Sequence, residues 1–212
     1  MRIVLVGTGT DVGKTHVACA LLAALRARGA RCRGYKPIAT GVAVGARCDD
    51  AERHALAAGV AYAAPTYAFV PPVSPHLAAR EAGRAIDLGV LARRAAELED
   101  GALVVETAGG LFSPLDERST NADLVRALAP ARVVLVAPDR IGVLHDVGAT
   151  ARAARAEGLD AMEVVLSAPA APDASTGTNA AELARLGVLV RATFPRAAPD
   201  APESLAAAAM LL

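Results

Sequence analysis

Short apolar runs recur along this chain, and between them lie longer stretches in which apolar residues return at helical spacing. The runs read as strands buried on both faces, and the stretches between them as helices with one apolar side. Strands are predicted over Arg2–Val6, Arg31–Tyr35, Ala102–Glu106, Arg132–Ala137, Glu163–Ser167 and Val188–Thr193. Helices are predicted over Lys14–Arg28, Asp49–Ala58, Leu77–Ala82, Leu88–Leu98, Asn121–Leu128, Val143–Glu157, Thr178–Leu186 and Glu203–Leu212. Pro37 to Cys48 reads as a glycine-containing loop, and Tyr62 to Ser74, with Pro65, Pro71 and Pro72, as irregular chain. Strands separated by helices throughout imply an α/β fold with a mostly parallel sheet and helices on both faces. No repeat, linker or charge block divides residues 1–212, so one domain is expected. Ligands of such sheets gather beyond the carboxyl ends of the strands. The informative positions are therefore those after Val6, Tyr35, Glu106, Ala137, Ser167 and Thr193.

Composition narrows the partners. Apolar residues make up 54% of the chain, enough for a substantial core, while 22 basic residues balance 22 acidic ones. Nucleic-acid binding calls for a basic excess and often for stacking rings, yet the net charge is zero, aromatics are 3% and Trp is absent. No nucleic-acid partner is expected. No apolar run approaches membrane-spanning length, and Arg2–Val6 is too short for a signal peptide, so no membrane is expected either. Cys19, Cys32 and Cys48 form no Cys-x-x-Cys pair and suit a reducing cytoplasm.

Gly7-Thr8-Gly9-Thr10-Asp11-Val12-Gly13-Lys14-Thr15 follows the first strand and opens the first helix. Strand, glycine-rich loop and helix make a phosphate cradle of the P-loop NTPase type: backbone N–H groups converge on phosphate oxygens at a helix N-terminus. Lys14 supplies a mobile charge to the terminal phosphates, and Thr15 a hydroxyl to a phosphate-bound Mg²⁺. The usual spacing puts a glycine at Thr8; here it falls one residue earlier, at Gly7. Glu106, ending an apolar strand, is placed to hold Mg²⁺ directly or through water, and Gly109-Gly110 behind it let backbone approach a ligand. Lys36 follows the second strand, and Pro37 fixes the chain's exit. Lys14 and Lys36 are the only lysines in a chain that otherwise chooses arginine. Two compact ammonium groups at loop mouths suit phosphoryl chemistry. Asp49-Asp50 start a helix, where they serve either as caps or as metal and nucleotide ligands. His16, His54 and His76 have no local partner pattern and read as structural. No Gly-x-Ser-x-Gly or His-Glu-x-x-His occurs, which leaves hydrolase triads and zinc peptidases unsupported.

Taken in order, these segments resemble the dethiobiotin synthetase family. Gly7–Thr15 is similar to its Gly-Thr-Asp-Thr-x-Val-Gly-Lys-Thr loop, including the shifted glycine. Gly34-Tyr35-Lys36-Pro37-Ile38-Ala39-Thr40-Gly41 resembles its lysine segment, Asp50 its second-loop aspartate, Ser74-Pro75-His76 a Ser-Pro-His turn, and Val105–Gly110 its Val-Glu-Gly-Ala-Gly-Gly. The resemblance implies an ATP-dependent cyclo-ligase of biotin synthesis acting on 7,8-diaminononanoate, CO₂ and ATP with Mg²⁺, as a cytoplasmic homodimer. A carbamate forms on one amine, its oxygen attacks the γ-phosphate, and the second amine closes the ureido ring as phosphate leaves. The resemblance assigns catalysis to Thr10, Lys14 and Lys36, substrate contacts to Thr10, Lys36, Thr40, Gly142 and His145, and metal contacts to Thr15, Asp50 and Glu106. It assigns the nucleotide to Asp11, Val12, Gly13, Lys14, Thr15, His16, Asp50, Glu106, Thr107, Ala108, Gly109, Ser167, Ala168, Pro195, Arg196 and Ala197.

The chain departs from the family's pattern at several of these places. Gly9 stands for an aspartate, Asp11 for a glutamate, Thr107 for a glycine, Thr40 for a serine and His145 for an asparagine. Ser167 stands for the asparagine that reads adenine, and one hydroxyl cannot present the two-point match of an amide. Weak discrimination among nucleoside triphosphates is therefore expected. A partitioning ATPase would carry a further lysine where this chain has Gly7-Thr8, and a cobyric-acid-type amidotransferase would need a glutaminase domain for which 212 residues leave no room.

Overall fold

The computed structural model describes residues 1–212. Its centre is a six-stranded sheet built from β1 (Arg2–Gly7), β2 (Cys32–Tyr35), β5 (Ala102–Gly110), β6 (Arg132–Pro138), β7 (Met162–Ser167) and β8 (Val190–Phe194), in the order β2-β5-β1-β6-β7-β8. Every neighbouring pair is parallel. The helices are α1 (Lys14–Ala27), α2 (Asp49–Ala58), α3 (Pro75–Glu81), α4 (Leu88–Leu98), α5 (Asn121–Leu128), α6 (Val143–Ala156), α7 (Asn179–Arg185) and α8 (Pro202–Ala209). The predicted boundaries of these elements hold to within a few residues.

The alternation of side chains along each strand feeds two apolar layers. Ile3, Leu5, Val104, Val134 and Val165 pack towards α1 and α8. Val4, Val6, Leu103, Val105, Leu135 and Leu166 pack on the other face against α3 to α7. Burial on both faces explains why the strands read as unbroken apolar runs.

Two expectations need correction. The segments read as loop and irregular chain contain β3 (Ile38–Thr40) and β4 (Tyr67–Phe69), which pair in parallel as a separate two-stranded sheet. Three residues are too few to show a period, and the flanking prolines mask the pair. Strand β5 also continues past Glu106 to Gly110. It leaves register with β1 after Leu5↔Glu106 and rejoins at Gly7↔Gly110.

The topology sets where a ligand can sit. From β1 the chain moves to β2 and back to β5 on one side, then crosses to β6 on the other. The crevice therefore opens at the carboxyl ends of β1 and β5, where the strand order reverses. Asn121, at the start of α5 and fully buried, clamps the end of β5 by donating Nδ2–H bonds to the carbonyls of Ala108 (2.7 Å) and Gly110 (2.8 Å). Removing it takes the side-chain donor from both carbonyls, and only Gly110 keeps another, the Ser113 N–H at 3.0 Å. Asn121→Ala is expected to lower unfolding free energy by about 2 kcal/mol, measured by urea denaturation. A loss under about 0.5 kcal/mol, within the range of ordinary surface substitutions, would show that the Ala108–Gly110 turn holds itself.

Candidate active site

The loop after β1 is shaped by what its glycines avoid. A Cβ on Gly7 would fall 2.7 Å from the Gly9 carbonyl oxygen and 3.0 Å from Lys14 Nζ. That close approach explains the glycine at position 7, and Thr8 is instead tied to β6 through its N–H to the Val136 carbonyl (3.0 Å). Gly13 caps α1 at φ 96°, a left-handed conformation, and any side chain there would collide with Ser167. Lys14, 6% exposed, turns back to donate to the Gly9 carbonyl at 2.8 Å.

Lys36 and Glu106 meet because of register. Tyr35 pairs with Val105, so Lys36 and Glu106 are the next residues on adjacent strands. Lys36 Nζ lies 2.6 Å from Glu106 Oε1 and 2.8 Å from Asp50 Oδ2. Asp50 arrives on the first turn of α2, whose entry is held by the Cys48 N–H donating to Tyr62 Oη (3.1 Å). No side chain caps α2, so Asp50 faces the site rather than the helix end. Thr15 Oγ1 lies 3.0 Å from Asp50 Oδ1 and 2.9 Å from Glu106 Oε1. His54, one turn after Asp50, places Nε2 2.8 Å from Glu106 Oε2.

Charge in this cluster follows from burial and partners. Burial alone would push the Glu106 carboxyl up, but Lys36 and His54 outweigh it and hold the group far below the usual carboxylate range. Burial likewise pulls Lys36 down, and the Glu106 and Asp50 carboxylates more than reverse it, so Lys36 stays an ammonium. Lys14 lacks such close partners: burial and then repulsion from Lys36 bring it down to about 8.

A cavity of about 900 Å³ runs over these groups. It gathers Thr10, Asp11, Gly13, Lys14, Thr15, His16, Lys36, Thr40, Asp50, Glu106, Ala108 and Gly109 from the expected set. A second cavity of about 700 Å³, between α1, α2 and the segment before α8, shares Thr15, His16 and Arg53 with the first and extends to Pro199 and Asp200. The remaining expected residues line neither. Val12 is buried in the core, and Thr107 turns its hydroxyl into the sheet to donate to the Leu5 carbonyl (3.1 Å). Ser167 packs against Gly13, and the Ala168 N–H donates to the Phe194 carbonyl (2.8 Å), which brings this segment to the His16 ring resting edge-on against Phe194. Pro195, Arg196 and Ala197 precede Pro199 and Asp200, the residues that reach the second cavity. Gly142 and exposed His145 sit at the start of α6, beyond β6. Sequence reading gave no site role to His54, whose partner Glu106 is 52 residues away, or to Arg53, Pro199 and Asp200, which line the second cavity.

Thr15, Asp50 and Glu106 offer a hydroxyl and two carboxylates, hard oxygen donors that suit Mg²⁺. No cluster of three or more His, Cys, Asp or Glu side chains forms a protein-only cage.

A parallel sheet carrying this loop at its reversal point defines a P-loop NTPase. The fold agrees with MinD of the MinC:MinD cell division complex from Aquifex aeolicus, at TM-score 0.56 and 11% identity over 99% of this chain and 95% of that one. A family model described as an AAA domain matches residues 1–199. ATP-dependent dethiobiotin synthetase BioD from Anaeromyxobacter dehalogenans (strain 2CP-C) is 42% identical over 186 residues, covering 85% of this chain and 82% of that protein. The enzyme of that name from Caulobacter sp. (strain K31) is 41% identical over 169 residues, 76% of this chain and 73% of its own. The chain belongs to the ATP-dependent dethiobiotin synthetase family. No helix is long and apolar enough to cross a membrane.

The position of Lys14 gives a pH prediction. A bound triphosphate favours the ammonium, so above about pH 8 binding must take up a proton. The Kd of a non-hydrolysable ATP analogue is expected to be flat below pH 8 and to weaken above it, towards about tenfold per pH unit. Calorimetry in buffers of different ionisation enthalpy should show proton uptake at pH 9. A pH-independent Kd from 7 to 9.5 would contradict it.

Proposed function

We infer that the protein catalyses ATP-dependent formation of dethiobiotin from 7,8-diaminononanoate and CO₂. The observation that carries the reading is that the chain's only lysines, Lys14 and Lys36, meet over one cavity with Thr10 and Thr40. A carbamate is an anion that must attack a polyanion, so positive charge has to concentrate between them.

The chemistry assigned to the cavity runs in three steps. One amine adds to CO₂ and loses a proton, giving a carbamate. A carbamate oxygen attacks the γ-phosphorus, the bond to the β–γ bridging oxygen breaks, and ADP leaves a mixed carbamic–phosphoric anhydride. The second amine attacks the carbamoyl carbon, loses a proton and expels inorganic phosphate as the ring closes. Lys36 is the fixed ammonium beside the transferring group, and Lys14 follows the terminal phosphates. Thr10 and Thr40 orient the carbamate. Thr15, Asp50 and Glu106 would hold Mg²⁺, which supplies charge neutralisation to the phosphates. Holding both amines beside the anhydride makes closure effectively intramolecular, and no side-chain nucleophile is required.

The second cavity is proposed for the nucleoside, with Ser167 too deeply packed against Gly13 to act as an amide-like reader. Gly142 and His145 are proposed to reach the substrate carboxylate of a neighbouring copy in a homodimer, since they line neither cavity of their own chain. The buried free thiols of Cys19, Cys32 and Cys48 accord with a reducing cytoplasm.

Incubation with MgATP, bicarbonate and 7,8-diaminononanoate is expected to yield dethiobiotin by mass, with phosphate release requiring both the diamine and CO₂. Equal phosphate release without diamine would remove the reading. Lys36→Ala is expected to lower kcat by about 10²–10³ with little change in nucleotide affinity. A wild-type kcat in that variant would show that Lys36 serves only to neutralise Glu106 and Asp50.

A further inference from the structure

The reaction as proposed gives His54 no task, yet the structure goes to some length to place it. The ring is 1% exposed, and its Nε2 lies 2.8 Å from Glu106 Oε2. A carboxylate oxygen accepts, so Nε2 carries the hydrogen. The other ring nitrogen, Nδ1, is buried without a partner. It faces Gly34 on β2, where a Cβ would come within 2.8 Å of His54 Cγ and 3.0 Å of Nδ1. The strand is thus cut back to a glycine to admit the ring, and the ring leaves one polar atom unsatisfied. A residue needed only to fill this space would be better as leucine, which has no nitrogen to strand.

The two oxygens of Glu106 face different groups. Oε1 meets Lys36 Nζ at 2.6 Å and Thr15 Oγ1 at 2.9 Å, while Oε2 meets His54. The last torsion of a glutamate is soft and two-fold. Without a donor fixed on Oε2, the carboxylate is free to turn both oxygens towards the Lys36 ammonium.

We propose that His54 is a positioning residue of the metal corner: it pins Oε2 of Glu106 so that Oε1 stays beside the Thr15 hydroxyl that Asp50 also meets, and Gly34 is the clearance that allows it. The proposal rests on the ATP-dependent reading above and adds a residue to it. Hydrogen bonds behind metal-binding carboxylates commonly tune affinity in this way.

Mn²⁺ can stand in for Mg²⁺, bound with a non-hydrolysable ATP analogue and read by electron paramagnetic resonance. His54→Leu is expected to weaken Mn²⁺ binding roughly tenfold or more, with affinity for the metal-free analogue unchanged. Gly34→Ala, which displaces the ring without altering it, is expected to do the same. His54→Gln keeps an N–H near the Nε2 position and is expected to recover Mn²⁺ affinity to within about threefold of the wild type. Wild-type affinity in His54→Leu, or a loss in His54→Gln equal to that in His54→Leu, overturns the proposal. Should His54→Leu not fold, the wild-type protein decides. Its His54 Nε2–H resonance, assigned through His54→Gln, is expected to shift when Mg²⁺ and the analogue are added, because the metal draws charge from the acceptor carboxylate. An unmoved resonance overturns the proposal. Dethiobiotin formation is followed separately in the wild type, so a failed activity assay and an unaltered metal site are distinguishable outcomes.

Discussion

The carboxylate of Glu106 is the constraint on which the rest of the site depends. It sits on a central strand at 1% exposure, where an unpaired charge would cost several kcal/mol and would simply take up a proton. It remains ionised because an ammonium and an imidazole N–H reach it from two different elements. That requirement propagates outward. Lys36 must follow β2 in register with β5, α2 must bring both His54 and Asp50, and Gly34 must give way to the ring. Because each partner satisfies a cost incurred by another, the cluster behaves as one unit. Removing any member should be felt by all of them, more than the sum of separate contacts suggests.

The phosphate loop obeys a different kind of constraint, one of space rather than charge. Gly7 is set by close approach to its own loop and Gly13 to Ser167, and at the end of β5 Gly109 is set by Ser113, whose Oγ would lie 2.5 Å from an added Cβ. The turn after β5 is held against the loop by the Leu111 N–H donating to the Gly7 carbonyl (2.8 Å) and by the Asn121 clamp. β1 and β5 diverge after Leu5 and Glu106 and rejoin at Gly7 and Gly110, so Thr107, Ala108 and Gly109 stand opposite Val6 alone, just before the loop begins.

These two kinds of constraint explain what was legible in the sequence. Buried parallel strands announce themselves as apolar runs, and a glycine-rich loop before a helix announces a phosphate site, so the main sheet and Gly7–Thr15 could be read directly. Lys36 stood out because lysine is otherwise shunned in this chain. Thr15 and Glu106 could be read as metal contacts from the loop and the strand end, and only the ordered family segments joined Asp50 to them. The three-residue strands β3 and β4 carry no period, and nothing local pairs chain segments that far apart. His54 escaped for the same reason. Its partner is 52 residues away, and its signature is a clearance at Gly34 on another element. Asp50 read equally well as a cap; the helix begins without any side-chain cap, and Asp50 meets Lys36 and Thr15 instead.

The two lysines show how one side-chain type is made to do two things. Both are buried to the same degree, about 6% exposed. Desolvation therefore pulls both towards neutrality, and the counter-ions decide the outcome. Lys36 lies between two carboxylates and is locked as a cation before any ligand arrives. Lys14 bonds a neutral carbonyl and is repelled by Lys36, so its charge is held weakly. A weakly held charge gains most from an incoming polyanion, because the ligand supplies the missing counter-charge. Arginine could not fill either role: its guanidinium is too broad to sit between Glu106 and Asp50 as a point charge, and it does not discharge near neutrality. The choice of lysine at these two positions, against the arginine used everywhere else, follows from that difference.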